Sequence, residues 1–137
     1  MIMTWTQLAK VYCLTLLVFL AVDFLWLGLI AKGLYQRYVG HLFSEQVNWA
    51  AAFLFYFLFV LGLMVFVIYP AIKASAMTQA LWMGMLFGLV AYATFDLTNL
   101  ALLRGWPATI TVVDILWGIV LSGIVSTAGY WIARWLS

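Results

Sequence analysis

Tyr92-Ala93-Thr94-Phe95-Asp96-Leu97-Thr98-Asn99 sets a carboxylate, two threonine hydroxyls and an amide inside an apolar run that extends from Leu81 to Leu103. A run of that length reads as a membrane-spanning helix. An ionisable side chain within it is expensive, faces protein or a water-filled cavity, and marks a functional site by default. On a helix Tyr92, Asp96 and Asn99 share one face, because offsets of three and four stack above one another.

The rest of the chain has the composition of a membrane protein. Hydrophobic residues make up 69% of the 137, against roughly 45–50% in soluble domains. Each span takes about 20 residues, so four spans and their connections fill the chain as one transmembrane domain, residues 1–137. The expectation is an all-α polytopic membrane protein, an antiparallel four-helix transmembrane bundle with both termini on the same side and helices at about 8–31, 49–69, 78–103 and 108–135. The N-terminal apolar run is too long for a signal peptide and reads as a retained helix. A net charge of +2 with no Lys/Arg cluster gives no surface for nucleic acid. Cys13 has no partner for a disulfide and is expected as a buried apolar side chain.

Along the chain, Lys32-Gly33 reads as the stop of helix one, and Leu34 to Asn48 as an amphiphilic surface segment. Tyr35, Arg37, Tyr38, His41 and Glu45 in that segment are expected as interfacial anchors and solvated charges, the alternative being that one of them closes over the acids. The aromatics of helix two surround it, and Pro70 is expected to end it. Helix three carries Gly84 and Gly88 four apart, and helix four carries Gly118, Ser122 and Ser126 at intervals of four. Both are small-residue ridges for close packing.

Three acids converge. Asp23 lies roughly 12 Å before the end of helix one, Asp96 about the same distance before the end of helix three, and Asp114 roughly 8 Å after the start of helix four. In alternating helices these fall in one half of the membrane. The candidate polar site is therefore Asp23, Trp26, Tyr92, Asp96, Thr98, Asn99, Asp114 and Trp117, with Arg104 as counter-charge, joined on that side by Lys32 and Arg37. The plainer alternative is that the acids accept hydrogen bonds from Trp, Tyr, Thr and Asn and lock the bundle. Two echoes accompany the acids. Asp23 and Asp96 each precede a basic-glycine pair, Lys32-Gly33 and Arg104-Gly105, and Asp-x-x-Trp occurs at Asp23/Trp26 and at Asp114/Trp117. Lys10, Lys73 and Arg134 slightly outnumber the opposite side once the amino group is added, which favours cytoplasmic termini.

Catalytic signatures are missing: the one His lies in a connection and the spacings of serine or cysteine nucleophiles are absent, so no Ser-His-Asp reading is supported, and no phosphate loop, dinucleotide fingerprint or His-Glu-x-x-His motif occurs. No cofactor or metal is expected; His41 and Glu45 alone make too few ligands.

The stretches Asp23-Phe24-Leu25-Trp26-Leu27-Gly28, Tyr92 to Asn99, and Trp106-Pro107 leading to Val113-Asp114-Ile115-Leu116-Trp117-Gly118, with Pro70 after helix two, resemble a bacterial inner-membrane family known as domain of unknown function 2177. The resemblance covers essentially the whole chain. It implies a compact four-helix protein of the bacterial inner membrane, gives no catalytic residues, and leans toward lipid chemistry or envelope stress through the lipid-modifying and photo-oxidative stress genes that accompany its members. Three functions compete. The first is a transporter or binder taking a proton, cation or small amine-bearing solute at the acids. It is expected to be completed by a homodimer, because four helices enclose little volume. The second is a lipid-active enzyme or accessory factor whose site opens sideways into lipid, and the third is a structural partner that docks another membrane subunit on the small-residue ridges. Membrane lipids surround it in every case.

Overall fold

The computed structural model describes residues 2–137 and is helical throughout its regular structure. Four helical runs are long and apolar enough to cross a membrane: Trp5–Ile30, Trp49–Ala74, Met77–Leu102 and Ala108–Leu136. The chain is a four-helix membrane bundle. Large apolar side chains such as Leu17, Phe66 and Val90 cover its outer surface, which is where lipid tails replace water as solvent.

The first run begins as α1 (Trp5–Leu25), three residues ahead of the expected start. A capping box explains the difference: Gln7 N–H donates to the Thr4 hydroxyl at 3.1 Å and Thr4 N–H to the Gln7 side chain at 2.9 Å. α1 passes into a π turn at Trp26–Ile30 and bends at Ala31. Lys32-Gly33 does not stop the chain there but opens a short surface helix, α2 (Lys32–Val39).

The second run is α3 (Trp49–Leu63), capped by the Asn48 side chain, a π turn at Met64–Ile68, and α4 (Tyr69–Ala74). Pro70 therefore does not end the helix. The π turn shifts the hydrogen-bond ladder, so Pro70 falls in the first turn of α4, where a missing N–H costs least. The run closes instead at Ser75, a left-handed residue with φ 52°. Cys13, expected inside, is exposed on α1; a small apolar thiol against lipid tails carries little penalty.

α5 (Met77–Leu102) and α6 (Ala108–Leu136) form the closest pair in the bundle. Their ridges meet rung by rung. Gly84 lies on Ser126, Gly88 on Ser122 and the Gly118 carbonyl, and the Tyr92 ring occupies the space where Gly118 lacks a Cβ. Both small-residue ridges are thus spent inside the chain, which leaves neither free to dock another subunit. The core proper joins Phe19 of α1, Phe59, Val60 and Leu63 of α3, Ile68 of the π turn, and Leu121, Val125 and Tyr130 of α6. The π turn packs against both α5 and α6, whereas α3 makes its approach to α1. Large rings pack α3 against α5, with Phe59 against Phe87 at 5.4 Å and against Tyr92 at 6.0 Å between centroids.

Candidate functional site

The ladder between α5 and α6 has a fourth rung. Gly84, Gly88, Tyr92 and Asp96 recur every four residues on α5, facing Ser126, Ser122, Gly118 and Asp114 on α6. Close packing at the glycine rungs therefore carries the two carboxyl groups to within hydrogen-bonding range of one another. Asp96 is fully buried, 0% exposed, and no donor reaches either of its oxygens. Carboxylates so placed bond to one another only through a shared proton, and an unpaired buried charge is otherwise heavily penalised.

Asp114 has a second neighbour: the Tyr35 hydroxyl of α2 donates to its Oδ1 at 2.6 Å and accepts from the Trp26 indole N–H at 3.4 Å. The third acid, Asp23, is buried and accepts from the Trp117 indole N–H at 3.2 Å. Trp26 and Trp117 stack face to face, centroids 4.4 Å apart and planes 6° apart. The two Asp-x-x-Trp motifs are therefore crossed. The tryptophan of one serves the acid of the other, directly at Asp23 and through Tyr35 at Asp114.

Two cavities flank Asp114. One, of about 750 Å³, has Asp96, Asp114, Lys32, Tyr35, Gln36 and Trp106 among its walls. The other, of about 500 Å³, has Asp23, Tyr56, Tyr92, Asp114 and Trp117. Leu27 and Phe95 line both. Phe24 and Phe95 are half-exposed on the outer faces of α1 and α5, so the larger cavity adjoins lipid as well as the surface helix.

Six of the eight candidate polar residues gather here: Asp23, Trp26, Tyr92, Asp96, Asp114 and Trp117. Thr98 and Asn99 do not. Thr98 is exposed and its hydroxyl turns back to the carbonyls of Thr94 and Phe95, while Asn99 lines neither cavity. Local back-bonding is the cheapest partner for a helical threonine. Arg104 is also displaced. It is exposed in the turn before α6, and the cation that lines a cavity is Lys32. Tyr35, Gln36 and Trp106 are additions. Tyr35 was one of five residues in the surface segment able to close over the acids, and Trp106 reads in the sequence as part of a turn. Among the described residues no three of His, Cys, Asp and Glu are placed to hold a metal ion.

The family model described as Predicted membrane protein (DUF2177) matches residues 8–131. The chain belongs to the DUF2177 family. No curated protein and no solved structure matches it. Membership agrees with the four spans and makes this DUF2177 protein a multi-pass protein of the bacterial inner membrane, with buried acids inside its bundle.

Tyr35 gives the site a pH signature. Burial, reinforced by its bond to Asp114, holds its hydroxyl above the ordinary tyrosine range. A folded value raised above an unfolded value near 10 stabilises fully below about pH 10, and the contribution fades as pH rises further. Tyr35→Phe is expected to cost about 1–2 kcal/mol of stability. That deficit should stay constant from about pH 6 to 9 and shrink above about pH 10 in denaturant unfolding. A deficit that instead grew at high pH would mean that Tyr35 does not act as a neutral donor.

Proposed function

We propose that this DUF2177 protein binds, and exchanges across the membrane, a proton for a cation or small amine-bearing solute at the Asp96–Asp114 pair. The reading rests on one observation: a fully buried carboxyl without a donor lines a cavity large enough for a ligand. A shared proton joins the pair when the cavity is empty and leaves one Asp96 oxygen without a donor. An ammonium group takes the proton's place by donating to both carboxylates, so the two states compete for one site. Asp23, held by Trp117, adds a further negative charge beside the second cavity.

In this reading residues 1–137 form a single transmembrane domain whose spans alternate in direction, with both termini on the side away from the acids. Gln7 Nε2 donating to the Leu136 carbonyl at 3.2 Å supports the pairing of the ends, and the opposed numbering of the α5 and α6 rungs supports their opposite direction. Under the positive-inside rule the termini are cytoplasmic and the acids lie in the outer half. A second reading, a lipid-active accessory factor, draws support from Phe24 and Phe95, through which the larger cavity borders lipid.

The test is amine-driven proton exchange in proteoliposomes of the full chain, read by a lumenal pH dye with ethanolamine as the solute. Wild type is expected to respond, and Asp96→Asn and Asp114→Asn to lose at least about tenfold of the rate, the loss of one charge-assisted pair. Equal responses from wild type, these two and Asp23→Asn would sink the proposal.

A further inference from the structure

The larger cavity holds two unsatisfied groups of opposite kind. Asp96 offers oxygens that no donor reaches, and the buried Trp106 indole N–H finds no acceptor. The residues that carry both groups are among the walls of one cavity, yet neither group satisfies the other. Leaving each unpaired carries the full desolvation cost of a buried polar group. A ligand that donates at one end and accepts at the other removes both costs together. Lys32 adds a positive charge to the wall that an accepting, anionic group would face, while the Asp96–Asp114 pair meets the donating end.

From this we infer that the larger cavity takes a zwitterion, the headgroup of an aminophospholipid, with its primary ammonium on Asp96 and Asp114 and its phosphate on Lys32 and Trp106. The inference rests on the ammonium site proposed above and names its ligand. Location supports a lipid source. Lys32 lies just past the end of the first span at Ile30, and Trp106 just before α6 begins at Ala108, so the cavity is at the level where headgroups meet the hydrocarbon. Apart from Tyr35 and Gln36 its remaining walls are apolar, and Phe24, Leu27 and Phe95 are exposed on the spans, a path by which acyl chains remain in the bilayer. A primary ammonium suits the carboxyl pair better than a quaternary one because only the former has N–H groups to donate.

The full chain, released from bilayers holding equal phosphatidylethanolamine, phosphatidylglycerol and phosphatidylcholine, is to be analysed by native mass spectrometry. Retention of phosphatidylethanolamine over both others by about tenfold is expected, the discrimination of one charge-assisted pair. Asp96→Asn should abolish that preference. Lys32→Gln, at an exposed position, should weaken phosphatidylethanolamine retention. Free O-phosphoethanolamine separates the two sources of this chemistry: failure to displace the lipid at matched concentration assigns the site to the lipid, and displacement assigns it to a soluble zwitterion. Equal retention of all three lipids, with ethanolamine still bound by wild type and lost in Asp96→Asn, would overturn the zwitterion and leave the ammonium site standing. Absence of ethanolamine binding as well would overturn both.

Discussion

Gly88→Ala is expected to destabilise the bundle by about 2–3 kcal/mol, the scale of overpacking in a closely packed interior. A Cβ at Gly88 would fall on the Gly118 carbonyl oxygen and on the Ser122 side chain. The serine can be trimmed, but the carbonyl belongs to the α6 backbone and moves only if the helix does. Ser122→Ala added to Gly88→Ala should therefore fail to restore stability. The control is Gly33→Ala on α2, where an added Cβ meets nothing within 4 Å. It is expected to be neutral or to gain up to about 1 kcal/mol from helix propensity. Thermal unfolding of the full chain in a fixed detergent reads all three. A Gly88→Ala protein that melts with wild type would show that α5 and α6 stand further apart than the ladder requires. The effect should also reach the site. Separating α5 from α6 at Gly88 moves Asp96 away from Asp114 two turns along, so ligand exchange should fall further than the stability loss alone accounts for.

That coupling also shows what could be read from the sequence and what could not. The apolar runs announced four spans, since span length follows from bilayer thickness. The acids announced a candidate site, because an intramembrane carboxylate is costly and marks a functional site by default, with locking of the bundle as the plainer alternative. The two small-residue ridges were visible as separate series, Gly84/Gly88 and Gly118/Ser122/Ser126. Their continuation through Tyr92 to Asp96 and back to Asp114 was not, because it depends on how the helices register. Asn99 looked equivalent to Asp96 by helical offset, yet only the position in step with the glycines is carried into the interface. Tyr35 could be read only as one of five candidates, and Trp106 only as part of a turn, for a related reason. Each comes from a connection, and a connection's residues join a site through the path the chain takes after a bend, here at Ala31 and around Gly105 with φ 78°. Pro70 misled because a proline rule assumes an unbroken α ladder, and the π turn at Met64–Ile68, which ends two residues earlier, breaks it.

Asp96→Asn is expected to raise stability while removing function, the opposite of what a locking residue would do. In the wild type both Asp96 oxygens are buried without a donor, and the group meets Asp114 through a proton that must be bound or exchanged. Asparagine is nearly isosteric and carries an N–H that donates to Asp114 permanently. It replaces a conditional bond with an unconditional one and removes a buried ionisable group, so a gain of about 1–2 kcal/mol in unfolding free energy is expected. An amide neither releases a proton nor neutralises an ammonium, so ethanolamine-driven exchange should fall by at least about tenfold. The combination distinguishes the competing roles. A carboxyl that only fastens α5 to α6 predicts that Asp96→Asn is destabilised or neutral with exchange intact, and such a result would assign the three acids to scaffolding. A site kept poised for a ligand predicts stability gained and exchange lost, since the cost carried by an unsatisfied buried group is removed by the ligand that satisfies it.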